Sequence, residues 1–210
     1  MILSHSHQFI FVHLYKTGGT SIRRCLEKYD AAYKIRHWAK SKLSSKPVFN
    51  SPIAHKHATA QTIRETVGAE VFDRYFSFCV VRNPWAWQVS LYHYVLKKPS
   101  HDQYQLFKQF RGFDDYLSWR CDGNVQLQKH YLVDQQGRQI VKFIGRMENL
   151  TQDFKTICET VGLDSLKLPH LNQSVDPSKR KQYQTFYNSD TQAMLTEAFR
   201  ADIDFLGYEF

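Results

Sequence analysis

Short apolar runs alternate with amphipathic stretches along this chain of 210 residues. Two runs, residues 9–14 and 75–81, are nearly continuous and rich in aromatic and β-branched side chains. Such runs are typical of strands that are buried on both faces of a parallel sheet. A further strand is predicted at residues 140–144, after a Gly-containing turn at residues 134–138.

Helices are predicted between and after these strands from apolar spacing and from residues that favour helix ends. Asn83 is a suitable N-cap and Pro84 suits the first helical position, while Gly68 and Gly162 are typical of C-terminal ends. Alternating strands and helices indicate an α/β fold, a three-layer sandwich with a mainly parallel central sheet, in a single domain of residues 1–210. The predicted helices cover residues 22–29, 59–67, 85–96, 103–119, 150–161 and 189–201.

The segment between the first strand and the first helix carries the strongest chemical signal. It reads His13-Leu14-Tyr15-Lys16-Thr17-Gly18-Gly19-Thr20-Ser21. A glycine loop that leads into a helix presents backbone N–H groups and the positive end of the helix dipole, which favour a phosphate. Lys16 adds a full charge but precedes the glycines, so the segment does not match the loop that binds nucleoside triphosphates.

The same segment closely resembles the 5′-phosphosulfate loop of sulfotransferases, H-I-P-K-T-G-G-T-S, with Tyr15 in place of the proline. The resemblance implies that 3′-phosphoadenosine 5′-phosphosulfate (PAPS) is the donor and that the bisphosphate PAP is the product. It implies that Lys16 stabilises charge on the leaving group, so no metal is expected. The residues expected to hold the 5′-phosphate are Lys16, Thr17, Gly18, Gly19, Thr20 and Ser21.

A second anion site is indicated where the strand at residues 75–81 ends. Arg82-Asn83-Pro84, with Ser90 eight residues after the arginine, resembles the 3′-phosphate site of the same family. Physically, an Arg at a strand end can hold a phosphate through two parallel hydrogen bonds, and a helical Ser can add a hydroxyl donor. Because Lys16 and Arg82 each closely follow a strand, we expect both to reach the carboxyl edge of the sheet.

Later segments extend the resemblance to the carbohydrate-type branch of the family (sulfotransferase family 2). Residues 143–154 match its F-[IV]-G-R-x-E-x-L-x-x-D-F stretch, and residues 171–174 its late N-x-S loop. Arg146 either contacts the cofactor or pairs with an acid such as Glu148. Asn172 and Ser174 are expected to close over the nucleotide. The resemblance implies a carbohydrate acceptor, and the aromatic residues between 92 and 131 either line a sugar cleft or form core.

A general base is needed to deprotonate an acceptor hydroxyl. His55-Lys56-His57 resembles the H-x-H segment that bears the base in uronyl 2-O-sulfotransferases. We therefore expect His57 to act as the base and His55 to assist it, with Glu65 as an alternative. His5 and His7, near the N-terminus, are expected to be inert.

Composition leaves competing functions open. A net charge of +8 and a pI of about 9.3 suit an anionic ligand, but also a nucleic-acid-binding module, although the basic residues are dispersed and no nucleic acid is expected. A small-molecule or nucleoside kinase with an atypical loop is the other alternative. No membrane span or signal peptide is expected, and four widely spaced cysteines favour a reducing compartment, hence a cytoplasmic location.

Overall fold

The computed structural model describes residues 1–31, 57–163, 166, 168 and 182–210. Contacts between residues divide the chain into two compact units. The first unit comprises Met1–Val81 with His130–Asn172, and the second comprises Arg82–Lys129 with Gln173–Phe210. The strands are β1 Ile2–Ser4, β2 Phe9–Val12, β3 Phe76–Val81 and β4 Phe143–Arg146. The helices are α1 Gly19–Leu26, α2 Ala60–Val67, α3 Ala69–Arg74, α4 Pro84–Leu96, α5 Tyr104–Phe107, α6 Phe113–Cys121, α7 Leu150–Thr160, α8 Ser189–Ala198 and α9 Arg200–Leu206.

The first unit is built on a four-stranded sheet of order β1-β2-β3-β4. Strands β2, β3 and β4 run parallel, with Val12 opposite Cys79 and Val81 opposite Arg146. Strand β1 pairs antiparallel with β2, which places Ile2 opposite Phe11. The expectation of a mixed α/β chain with a mainly parallel sheet is therefore confirmed at this level.

Strands β2 and β3 are buried on both faces, as their continuous apolar sequences predict. On one face, Phe9, Phe11 and Phe78 pack with residues of α1 and α7 into the core of the unit. Ile10 and Cys79, which project to the other face, are also fully buried. The sheet thus holds the carboxyl ends of β2 and β3 side by side, and the chain leaves for the Lys16 loop from the first of them.

The second unit contains a cluster of aromatic rings contributed by α4, α5 and α6. The rings of Phe107 and Tyr116 lie 5.0 Å apart, and both side chains are almost wholly buried. Tyr92 packs against Tyr116 at 5.2 Å, and burial raises the pKa of both phenols. Of the two interpretations of this segment, these rings favour core packing over an open sugar cleft.

Several predicted elements differ from the observed ones. The predicted helix 103–119 is two short helices: the first ends at Phe107, and the second begins only after Gly112, whose backbone is extended with φ −177° and ψ −171°. The predicted helix 189–201 is likewise divided, at Phe199, into α8 and α9. The strand expected at residues 140–144 is shifted to Phe143–Arg146, and β1 was not predicted.

His5 and His7, expected to be inert, lie in the turn between β1 and β2 and make structural hydrogen bonds. The Nδ1 atom of His5 lies 2.8 Å from the Tyr75 hydroxyl. The Nδ1 atom of His7 lies 3.1 Å from the carbonyl oxygen of Val161, which accepts. These contacts help to fasten the turn to the rest of the first unit.

Candidate functional site

The loop between β2 and α1 turns through two residues with left-handed backbone conformations. Lys16 adopts a left-handed conformation with φ 63°, and Gly18 adopts φ 80° and ψ 0° as the N-cap of α1. The helix begins at Gly19, and the N–H of Ser21 donates to the carbonyl of Gly18 at 3.1 Å. A side-chain-bearing residue pays a conformational cost at φ 63°, which makes the conformation of Lys16 a specific feature of this turn.

The hydroxyl groups of the loop differ in exposure. Thr17 is buried, and its hydroxyl donates to the carbonyl of Leu14 at 3.2 Å, so it closes the loop on itself. Ser21 is also largely buried, whereas Thr20 is exposed at the start of α1. Thr20 therefore has the most accessible hydroxyl of these three residues, and ligand contact by all three remains a prediction.

Gly19 is required by the close approach of a buried imidazole. A Cβ atom placed on Gly19 would lie 2.1 Å from Cδ2 of His13 and 2.2 Å from its Nε2. His13 is 3% exposed, and its ring stacks on Phe11 with ring centroids 5.4 Å apart. The second glycine of the loop thus makes room for His13 at the start of α1.

His57 lies against the same loop. Its Nδ1 is 2.9 Å from the backbone carbonyl oxygen of His13. A carbonyl oxygen only accepts hydrogen bonds, so Nδ1 carries the proton of this contact. The His57 ring lies 4.7 Å from that of His13 and makes an edge-on contact with Tyr15 at 5.4 Å. The fold therefore brings a half-buried histidine to the loop that carries Lys16.

Glu65, the alternative base, is an exposed residue of α2. Its carboxylate accepts hydrogen bonds from Gln61 at 2.6 Å and from Gln135 at 3.4 Å. These contacts are those of a surface carboxylate that bonds to neighbouring side-chain amides of the first unit. His55, Asn172 and Ser174 fall outside the described residues.

Arg82 and Ser90 belong to the second unit. Arg82 follows the last residue of β3, and Asn83 then caps α4 by accepting a hydrogen bond from the N–H of Ala86 at 3.1 Å. The amide of Asn83 also donates to the carbonyl of Glu209 at 3.0 Å. Arg82 and Ser90 are both half-buried, the one just before α4 and the other within it.

Arg146 is the last residue of β4 and its side chain is exposed. Its backbone N–H donates to the Asp153 carboxylate at 2.6 Å, and Asn149 donates to the same carboxylate at 2.9 Å. A Cβ on Gly145 would lie 3.3 Å from that of Asp153, which explains a small residue there. These contacts fix the backbone of Arg146, and both interpretations of its side chain stay open.

Sequence reasoning assigned no role to four residues that organise these segments. His13 and Tyr15 flank His57, and both stand within the loop motif, which was the available signal. Gln128 and Asp202 form hydrogen bonds that reach Arg82, and the sequence pattern carries no signal for either.

Two further observations concern membrane spans and metal sites in the described part of the chain. Within the described ranges, every helix is too short or too polar to span a bilayer. Those ranges also contain no group of three or more His, Cys, Asp or Glu side chains placed to share a metal ion.

Comparison with known proteins identifies the family. An uncharacterized protein from Archaeoglobus fulgidus is 34% identical over 124 residues, which is 58% of this chain and 97% of the relative. No solved structure matches the chain at a significant level. The model of the sulfotransferase family matches residues 1–209. Because the match covers nearly the whole chain, this protein belongs to the sulfotransferase family.

Proposed function

We propose that this chain transfers the sulfuryl group of PAPS to a hydroxyl of an acceptor, and that the acceptor is a carbohydrate. The observation that carries the proposal is the contact between His57 and the Lys16 loop within one unit. A group that removes a proton and a loop that suits a phosphate are the two requirements of transfer to a hydroxyl. The carbohydrate class rests on the resemblance of residues 143–154 and 171–174 to the carbohydrate-type branch.

Each residue has a distinct task in the proposed reaction. PAPS supplies the sulfuryl group, and its S–O bond to the 5′-phosphate breaks as the bond to the acceptor oxygen forms. His57 accepts the hydroxyl proton at Nε2, because Nδ1 is already protonated and donates to the His13 carbonyl. Lys16, together with N–H groups at the start of α1, stabilises the negative charge that develops on the 5′-phosphate.

The remaining cofactor contacts follow the sequence motifs. Arg82 and Ser90 bind the 3′-phosphate, with the Arg82 guanidinium as the principal donor. Arg146, Asn172 and Ser174 are assigned to the nucleotide as well. The role of Asn83 is to begin α4 at a defined place immediately after Arg82.

The test of this proposal is transfer of radiolabelled sulfate from PAPS to a panel of carbohydrates, with mass analysis of the product. We expect Lys16→Ala to lower kcat by roughly 10²- to 10³-fold, because a charge that acts in the transition state is lost. Lys28→Ala is the matched control, since Lys28 is an exposed residue just beyond α1. Full turnover in Lys16→Ala would remove the role assigned to that residue.

The base is tested separately. We expect His57→Gln to lower the rate at saturating acceptor by about 10²- to 10⁴-fold. His7→Gln is a matched control, because the Nδ1 of His7 also donates to a backbone carbonyl in the same unit, that of Val161. A His57→Gln enzyme with the full rate would assign the base elsewhere. ATP turnover that depends on Mg²⁺, without sulfate transfer, would instead favour a kinase.

A further inference from the structure

The backbone of Arg82 is held by one buried side chain. Oε1 of Gln128 accepts a hydrogen bond from the N–H of Arg82 at 2.9 Å. Nε2 of Gln128 donates to the carbonyl of the same residue at 2.7 Å. Gln128 is 0% exposed, so neither amide atom exchanges this bond for water. A single amide therefore pairs with both backbone groups of Arg82, as an adjacent strand would.

Gln128 is itself fixed by a buried carboxylate of α9. The backbone N–H of Gln128 donates to Oδ2 of Asp202 at 2.8 Å, and that of Lys129 donates to Oδ1 at 2.8 Å. Asp202 is also 0% exposed. Hydrogen bonds to a charged acceptor in a buried setting are among the stronger ones in a protein. The three residues thus form a continuous chain from Asp202 through Gln128 to Arg82, within the second unit.

This arrangement matters because Arg82 lies where regular structure is interrupted. It follows the end of β3 and precedes Asn83, the N-cap of α4, so no sheet or helix ladder includes it. Fixing its N–H and its carbonyl fixes the direction of the Cα–Cβ bond, from which the guanidinium extends. Arg binds a phosphate through two parallel hydrogen bonds, so its contact depends on that direction. The contact of a Lys ammonium, which acts as a point charge, depends on it less.

We propose that Gln128, with Asp202 behind it, is a positioning residue for Arg82 and sets the preference for a nucleotide that bears a 3′-phosphate. The inference rests on the proposed function, in which Arg82 binds that phosphate. Gln128 acts through Arg82 and touches no reacting atom. Its removal therefore affects recognition of the 3′-phosphate and leaves recognition of the 5′-phosphate unchanged.

The test compares two ligands that differ only in the 3′-phosphate. Calorimetric titration measures the affinity of the full chain for PAP and for adenosine 5′-monophosphate. We expect Gln128→Leu to weaken PAP binding by roughly 10-fold and to leave the affinity for the monophosphate unchanged. Gln88→Leu is the matched control: Gln88 is equally buried in the same unit, but its side chain accepts from Tyr116 at 2.6 Å. That variant is expected to keep the preference of the wild type.

A second variant and a double substitution distinguish a positioning role of Gln128 from a general loss of folding. Asp202→Asn keeps the size of the side chain but turns a donor toward a backbone N–H, so the same selective loss is expected, to a smaller extent. In an Arg82→Ala background, Gln128→Leu should change PAP affinity no further. An equal additional loss in that background would mean that Gln128 acts independently of Arg82, which overturns the inference.

The outcomes separate the inference from the proposed function. A wild-type chain that binds PAP no better than the monophosphate would overturn the proposed function, and the inference with it. A wild type that prefers PAP, with a Gln128→Leu variant that retains the full preference, would overturn the inference alone. Loss of affinity for both ligands in Gln128→Leu would also overturn it, since that indicates a general structural role.

Discussion

Replacing Gly19 by Ala tests how closely the imidazole of His13 packs on the start of α1. The added Cβ would lie 2.1 Å from Cδ2 of His13, whereas ordinary contacts of this kind begin near 3.4 Å. The ring or the helix must therefore retreat by roughly 1.3 Å. The ring cannot retreat freely, because it is buried, stacked on Phe11 and adjacent to His57.

Overpacking of this kind costs about 1–3 kcal/mol of unfolding free energy. In a chain of this size, such a loss lowers Tm by roughly 2–12 °C. Urea unfolding of the purified variant, followed by circular dichroism, gives the free energy directly. Gly112→Ala is the control, since Gly112 has an extended backbone and a Cβ there meets nothing within 4 Å. Because Gly112 is also the N-cap of α6, where alanine is disfavoured, its substitution should cost up to about 1 kcal/mol and should not depend on His13.

A double substitution identifies the clash as the cause. In a His13→Ala background the ring is absent, so Gly19→Ala should cost little or even add helix propensity. The coupling between the two sites is then expected to be about 1–3 kcal/mol. The same penalty in both backgrounds would refute the steric explanation and would point to the backbone conformation of Gly19 itself.

Three other perturbations probe separate parts of the molecule. Asn83→Ala removes both the cap on the N–H of Ala86 and the hydrogen bond to the Glu209 carbonyl. It should lower the unfolding free energy measured by urea titration by about 1–2 kcal/mol, and Asn83→Ser should restore part of that loss. Burial raises the pKa of the Cys79 thiol above its ordinary 9.0, so the unfolded chain loses this proton first and stability falls as pH rises past 9. The slope from Cys79 is at most about 1.4 kcal/mol per pH unit, and Cys79→Ala should flatten the alkaline limb of a stability–pH curve. Arg82→Ala should raise the KM for PAPS by roughly 10- to 100-fold with a smaller change in kcat, and an unchanged KM would contradict its assignment to the 3′-phosphate.

The elements that are defined by nearby residues, such as helix caps or continuous apolar runs, were predictable from sequence. Helix α4 begins where Asn83 and Pro84 place it, and α2 begins after Thr59, whose hydroxyl accepts from the N–H of Thr62. The buried strands β2 and β3 follow from continuous apolar runs, since few other local structures bury every side chain of such a run.

Elements that depend on distant partners were not predictable. Strand β1 has three residues, too few for a periodic pattern, and exists because β2 pairs with it. The break between α5 and α6 was missed, because apolar residues continue at helical spacing through Gly112. At the candidate site, the Lys16 loop is a local motif, but the approach of His57 to the His13 carbonyl joins positions 44 residues apart. The role of Gln128 could not be predicted, because nothing in the sequence distinguishes a glutamine that binds a distant backbone from one at the surface.

The order of strands has a consequence for synthesis of the chain on the ribosome. Strand β4 covers the outer edge of β3, yet the two are separated by the residues of α4, α5 and α6. Until residues 143–146 have left the exit tunnel, a nascent chain leaves the backbone N–H and C=O groups on this edge of β3 without the partners that β4 provides. Unprotected edges of this kind recruit other strands, so chaperone dependence should be greatest for ribosome-stalled fragments that stop short of β4.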